Sequence, residues 1–581
     1  MEVKLKKVLI ILAIVLVVLF VAALFMVKAM SGFSGKVASV NKPSVLVVDL
    51  SQEYPERGSF DFSGYTFKRQ TNFLSLIRAV EAAAEDDNIL AMSLKADGVG
   101  LSRTQIEELS KAVKAFRESG KTVYSFLSGA SMGGLLAASM ADSVYMPPTG
   151  DFMLLGMAIM PMFFSGAAEK IGIGFDVIQI GDYKGAAEMF TEKGFTAPLR
   201  ENYTSILDAL YADWLSTVSQ GCGIPAEKLE EAVNTGVFSA KEGLEMGLID
   251  GILYPQEYRA KILALVDDKD DRIVSVSKYS SAKRADSGKR KIAVVYCLGN
   301  IHAGPSQNNP FRNNYSIGDE TFIEAIDKAA KDETVEAILL RVDSPGGSAL
   351  ASDFIWKSIV DAKEKKPVVV SMGGVAASGG YYISMPADSI FCDANTITGS
   401  IGVIFMKFHA EQLMEKLGVT VDTVIRGSLA DDFSIHKGMD ADAYEAFRKS
   451  TEGIYNIFTS KAAEGRGLEL DSLLNLAGGR IWTGRQAVDN HLADRVASFS
   501  EAIEATAKMA SIPMNELGIV TYPKEKSWIE FAFEVNSGSA SRSNSLLDKL
   551  EITLQPYIDA VSMFRSGEPL MLLPVKVDCG D

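Results

Sequence analysis

Apolar and polar positions along this chain fall into a pattern that occurs twice. Pro43–Leu50 is an apolar run of strand length, Phe73–Asp86 has helical periodicity, and Ile89–Leu94 is strand-like again. Ile106–Ser119 is an amphipathic helix closed by Gly120, and Thr122–Leu127 follows as a strand. Strands alternating with helices of this length predict α/β layers around a largely parallel sheet. Past residue 290 the pattern restarts: Lys291–Leu298 is a strand, Phe322–Lys331 a helix, Ala337–Val342 a strand, Phe354–Lys365 a helix and Pro367–Ser371 a further buried strand.

A shift of 246 residues superposes the two halves. Leu94-Lys95-Ala96-Asp97 then matches Leu340-Arg341-Val342-Asp343, and Ala141-Asp142-Ser143-Val144-Tyr145 matches Ala387-Asp388-Ser389-Ile390-Phe391. Further on, Val237-Phe238-Ser239-Ala240 matches Ile481-Trp482-Thr483-Gly484 with a shift of 244. So constant an offset predicts a tandem duplication, with repeats over 40–255 and 291–510. Residues 256–290, poor in apolar runs and rich in Lys, Arg, Asp and Ser, read as the link between them. Residues 511–581 read as a C-terminal extension, helix-like at Leu546–Phe564, that packs on the body or joins an oligomer contact.

The first 28 residues stand apart. Val8–Val27 is twenty residues without a charge, long enough to span roughly 30 Å as a helix. Lys4, Lys6 and Lys7 precede it, which predicts an uncleaved single-pass anchor with the N-terminus in the cytoplasm and the rest beyond the membrane. Composition then narrows the classes of function. A net charge of −16 argues against a nucleic-acid surface. Cys222, Cys297, Cys392 and Cys579 are widely spaced with no Cys/His cluster, so neither a metal site nor a disulfide framework is expected, and no cofactor motif occurs. Cys297 and Cys392 lie in apolar strands and read as core.

The chemistry gathers where the two halves differ. Met372-Gly373-Gly374-Val375-Ala376-Ala377-Ser378-Gly379-Gly380-Tyr381-Tyr382-Ile383 follows a strand and surrounds one hydroxyl with small residues. Gly379 and Gly380 can open a helix whose free N–H groups favour negative charge. The first half keeps the glycines here (Gly129-Ala130-Ser131-Met132-Gly133-Gly134) but has Met132 opposite Ser378. In return, Lys184 in Gly181-Asp182-Tyr183-Lys184-Gly185 falls opposite Ala430. A neutral lysine can activate a serine. Its pKa must then fall by roughly three units, about 4 kcal/mol, which burial among groups such as Tyr183, Met189 and Phe190 can supply. Asp343-Ser344-Pro345-Gly346-Gly347-Ser348 follows the preceding strand, and the N–H of Gly346 or Gly347 with that of Gly379 would make an oxyanion hole. Other readings stay open from these residues: a crotonase-type enzyme using the oxyanion hole alone, a Ser–His site through His409 or His436, and a tethered scaffold with a degenerate enzyme fold.

Ser344-Pro345-Gly346-Gly347, the 372–384 stretch, Thr398-Gly399-Ser400-Ile401-Gly402-Val403 and Gly181–Thr191 together resemble the signal peptide peptidase A family, also called protease IV, in its long duplicated form. The likeness covers residues 1 to about 500. It implies tandem Clp-protease/crotonase-like domains and a Ser–Lys dyad. By motif match Ser378 would be the nucleophile, Lys184 the general base, Ser400 the residue that orients the lysine, and Gly346 and Gly379 the oxyanion donors. After Lys184 this chain has Gly-Ala-Ala-Glu-Met-Phe where the long form more often has Ser-Ala-x-Glu-Pro-Phe. The resemblance also implies a bacterial inner-membrane protease with a periplasmic catalytic part. Its substrates would be apolar peptides such as remnant signal peptides, and it would form a homotetramer shaped as a bowl open to the membrane. Met372, Val375 and Tyr381 are the candidates for the apolar substrate pockets.

Overall fold

The structure is a computed structural model and describes residues 40–58, 60–61, 68–267, 269–280, 288–307, 315–524 and 569–572. The expected anchor at 8–27 and the helix at 546–564 lie outside the described residues. Among the described residues, no helix is long and apolar enough to cross a membrane.

Each repeat builds the same sheet. In the first, six parallel strands run in the order Gly251–Ile252, Ser143–Met146, Thr122–Phe126, Ile89–Lys95, Ser44–Asp49 and Ile273–Ser275. In the second, the order is Arg495–Val496, Ser389–Cys392, Val368–Ala377, Val335–Ser344, Arg290–Leu298 and Leu517–Tyr522, again parallel. The central strands read as unbroken apolar runs because both faces are covered. Val45, Leu46, Ile292–Val295 and Ile338–Leu340 expose none of their surface. A small three-stranded unit also recurs. Ala130–Ser131 pairs with Asp151–Met153 and that with Val237–Ser239, while the end of Val368–Ala377 pairs with Ile397–Gly399 and that with Ile481–Thr483.

The outer edges revise two expected boundaries. Residues 256–280 are not a bare link: a helix spans Pro255–Ala264, and Ile273–Ser275 closes the first sheet beside Ser44–Asp49. Leu517–Tyr522, assigned to the extension, is the matching closing strand of the second sheet. Both are single short strands whose pairing is long-range, so local periodicity does not reveal them.

The repeats are locked together in two ways. Arg341 of the second sheet is buried against Glu108 of the first repeat's helix Arg103–Glu118 (2.7 Å) and Glu56 (3.0 Å), with its guanidinium over the Phe499 ring. Asp393 is also fully buried here, and burial together with Glu108 and Glu107 pushes its carboxyl well above the usual range. Elsewhere the repeats share a sheet. Gly174–Ile180 of the first runs antiparallel to Val403–His409 of the second over seven residue pairs.

Candidate active site

That shared sheet delivers Lys184. The strand Gly174–Ile180 ends at Gly181, which turns the chain with a φ of +107°, and Lys184 follows within the same loop. Its side chain is fully buried. Nζ lies 2.6 Å from Ser378 Oγ, 2.9 Å from the Ser400 carbonyl oxygen and 2.9 Å from Ser400 Oγ. All of this happens within one chain. Burial alone pushes the Lys184 pKa well below that of an ordinary lysine. The geometry suits a neutral amine: two N–H bonds can go to Ser400 while the lone pair accepts the Ser378 hydroxyl proton.

Ser378 sits at the junction of the strand Val368–Ala377 and the helix Gly379–Ser384. Its backbone has φ +55° and ψ −113°, a conformation that non-glycine residues avoid, and its side chain caps nothing. The strain turns the hydroxyl out of the helix end towards Lys184 instead of back onto the first turn. Ser400 is held in the same unusual way, at φ +51°. Two contacts tie both serines down: Ser378 N–H donates to the Gly399 carbonyl at 2.8 Å, and Ser400 N–H to that of Arg480 at 2.8 Å.

The N–H of Gly379 is one of the first-turn donors that a helix leaves unpaired. No larger residue fits there, since a Cβ on Gly379 would lie 2.7 Å from Ser352 Oγ and 3.1 Å from Gly347 N. The Pro345-Gly346-Gly347 turn lies against Gly379: a Cβ on Gly346 would come within 2.6 Å of Gly379 N. Gly346 N–H donates to Ser344 Oγ at 3.2 Å. Gly346 contributes its bare Cα and a φ of +103°.

The expected pocket residues fare differently. Met372 and Tyr381 are entirely buried within the second repeat's core, and the Tyr381 hydroxyl donates to the Leu492 carbonyl. Val375 is partly buried and packs among Leu199, Tyr203, Ala377 and Ile397 where the repeats meet. The alternative bases lie elsewhere. His409 ends the strand Val403–His409 opposite Gly174, and His436 lies near Ser434 and Asp431.

Two features of the site have no counterpart in the sequence expectations. The first is Gly478-Gly479, at φ +68° and +85°. Tyr183 N–H donates to the Gly478 carbonyl, Gly479 N–H donates to that of Ile401, and a Cβ on Gly479 would come within 2.5 Å of Lys184 N. This turn clamps the lysine loop against the Ser400 loop. Beside it, Arg480 pairs with Glu201 and lies over the Tyr183 ring, and Asn202 makes two hydrogen bonds to the Ile481 backbone. A pair of glycines before an apolar strand was the only available signal. The second feature is Leu570–Leu572. It runs antiparallel to Gly346–Ser348 and meets Ile404 on its other side.

Comparison with known proteins follows the same division into halves. A model of peptidase family S49 matches residues 115–267 and 361–512, one segment per repeat. The first holds Lys184 and the second holds Ser378 and Ser400. The chain is similar to the chloroplastic serine protease SPPA of Arabidopsis thaliana, 30% identical over 95% of this chain and 83% of that one. It is likewise similar to protease 4 of Salmonella typhi, 30% identical over 81% of this chain and 77% of the relative. Protease 4 of Haemophilus influenzae is 28% identical over 78% of this chain and 75% of its own length.

Proposed function

The chain belongs to peptidase family S49 and is a serine protease, and on that premise we propose that Ser378 is its nucleophile and Lys184 its general base. One observation carries the reading: a fully buried lysine with a lowered pKa has its Nζ 2.6 Å from the oxygen of a serine held in a strained turn. Neutral Lys184 takes the Ser378 proton as Oγ attacks the scissile carbonyl. The N–H of Gly379 and that of Gly346 or Gly347 in the facing turn stabilise the oxyanion. Lys184 then passes its proton to the leaving amine, and water releases the acyl group from Ser378. Ser400 holds the lysine's other two valences and so fixes the direction of its lone pair.

The repeats are of Clp-protease/crotonase type in this reading. The substrates are apolar peptides, remnant signal peptides among them. Residues 8–27 anchor the protein in a bacterial inner membrane with the catalytic part in the periplasm, and four copies assemble around a common opening. A fluorophosphonate probe should label the wild type and leave Ser378→Ala untouched. Labelling of Lys184→Ala that matched the wild type across pH 6–9 would remove the lysine from the mechanism.

A further inference from the structure

The helix Arg103–Glu118 of the first repeat lays two consecutive carboxylates, Glu107 and Glu108, against the loop that follows the strand Ser389–Cys392 of the second. Glu107 is well supplied with donors there: Ala394 N–H at 2.8 Å, Asn395 N–H at 3.3 Å and the Asn395 side-chain amide at 3.0 Å. Glu108 accepts from Arg341 at 2.7 Å and from Phe499 N–H at 2.8 Å. Asp393 is different. It is fully buried at the same junction, and among the described residues no donor reaches either of its carboxyl oxygens. Facing it are Glu107 and Glu108 of the helix, Arg341 of the second sheet and, one residue back, the Cys392 thiol. The one cation, Arg341, is already shared between Glu108 and Glu56.

An ionised Asp393 would be a buried anion with no hydrogen bond beside two like charges, which is strongly unfavourable. A protonated Asp393 gains a donor, and Glu108 is the carboxylate within hydrogen-bonding reach. That bond crosses from one repeat to the other. Both serines of the site are tied to this point. Asp393 N–H donates to Thr396 Oγ1 at 3.0 Å, and that hydroxyl donates to the Gly373 carbonyl at 2.8 Å, in the strand that leads to Ser378. From Thr396 the chain runs through Ile397–Gly399 directly to Ser400. Arg341 meets the strand of Ser378 as well, donating to Ser371 Oγ at 2.9 Å. Lys184 comes from the other repeat, so its distance to both serines depends on how the repeats are held.

We propose that Asp393 is a positioning residue: as a neutral acid it donates its proton to Glu108 across the junction, and this bond holds Ser378 and Ser400 in register with Lys184. This rests on the assignment of Ser378 and Lys184 above. Asp393 takes no part in the chemistry itself. Without its bond the repeats part far enough for water to reach Lys184, and a hydrated amine keeps its proton to higher pH. Base and nucleophile also lose their alignment, and a displacement of about 1 Å costs about 100-fold in rate.

The test compares two substitutions in the full-length chain that keep the shape of the side chain. Asp393→Asn retains an N–H donor for Glu108, and Asp393→Leu has none. The asparagine variant should cleave an apolar peptide with the kcat/KM and the pH profile of wild type. The leucine variant should lose about 100-fold in kcat/KM, with the rising limb of its profile displaced to higher pH. Thermal melts establish that it is folded, and Asp393→Ala takes its place if it is not. Infrared spectra at about pH 8, where ordinary carboxylates are ionised, read the proton directly. The carbonyl band of a protonated carboxyl group should be present in wild type and weaker in Asp393→Asn. The proposal falls if that band is equal in the two, or if the variant without a donor keeps the rising limb of wild type. Either result leaves the dyad standing, because wild type is still labelled by the fluorophosphonate probe at Ser378. Absence of labelling and of turnover in wild type would remove the dyad and, with it, the positioning role, whatever the infrared band shows.

Discussion

The turns at Ser378 and at Met132 occupy the same place in two copies of one fold, and they have diverged in backbone as well as in side chain. In the first repeat Ser131 is an ordinary N-cap: φ is −81°, and its hydroxyl accepts from Gly134 N–H at 3.1 Å. Met132 is already the first helical residue and packs into the core. In the second repeat the helix starts one position later, and Ser378 at its head is strained and uncapped. The glycines that both copies share did not preserve a common turn. What preserves the strained form is the surrounding site: the bond from Ser378 N–H to Gly399 O, the close approach of Gly346 to Gly379, and Lys184 on the hydroxyl. Local strain of this kind persists only where its surroundings over-determine it, and the copy with no lysine opposite has relaxed.

The sharpest way to break this comparison is Ser378→Gly. Turnover should fall on the order of 10⁵-fold with the nucleophile gone. Stability should rise by about 1 kcal/mol, because glycine adopts positive φ without cost. The reciprocal change, Met132→Ser, should create no second labelled serine, since neither the strain nor a lysine awaits it. A peptide-turnover assay, gel fluorescence after probe labelling and thermal melts together read these outcomes. A gain of labelling at position 132 would show that the side chain alone separates the two turns.

Next in size is the lock between the repeats. Arg341→Met leaves Glu108 and Glu56 facing each other without their cation and should cost about 3–5 kcal/mol in chemical denaturation. The clamp on the lysine loop is a finer test. Gly479→Ala pushes directly on Lys184 N and should reduce kcat/KM about 100-fold with an altered pH profile. Gly478→Ala meets no atom closer than 3.9 Å, so it reports backbone strain alone. Equal losses in the two variants would show that the turn's conformation matters and its contact with Lys184 does not.

The smallest expected effects concern stability. Ser131→Ala should cost about 1 kcal/mol through the lost cap. Lys184→Met tests the burial of the amine. The folded-state pKa of Lys184 lies below the unfolded value of about 10.4, so between the two the unfolded chain holds a proton that the folded chain does not. Wild-type stability therefore rises with pH across that window, and the variant lacks this slope. The advantage of Lys184→Met in melting temperature should be largest at neutral pH and shrink as pH approaches 10.

Much of this arrangement was legible in the chain because the duplication serves as its own control. The central strands, the offset of the repeats and the reciprocal placement of Ser378 and Lys184 all came from comparing one half with the other. What escaped is long-range. Ile273–Ser275, and Leu570–Leu572 above all, are too short to carry periodicity of their own, and Leu517–Tyr522 pairs with a strand more than two hundred residues before it. The place of Met372 and Tyr381 was not legible for a physical reason. In a sheet covered on both faces, an apolar residue beside a nucleophile lines a pocket or fills the core with the same letters, and only the packing distinguishes them.

The sheet shared by Gly174–Ile180 and Val403–His409 also has a consequence in time. Ser378 lies 194 residues after Lys184. At a synthesis rate of about 5–20 residues per second, the serine follows the lysine by roughly 10–40 seconds. The strand that draws the lysine loop onto the serine is made later still. On the roles proposed for Lys184 and Ser378, the growing chain throughout that interval holds a base without a nucleophile, and then both without the pairing that joins them. A protease divided in this way is inert while it is being made, and it gains its chemistry only when the second copy folds onto the first.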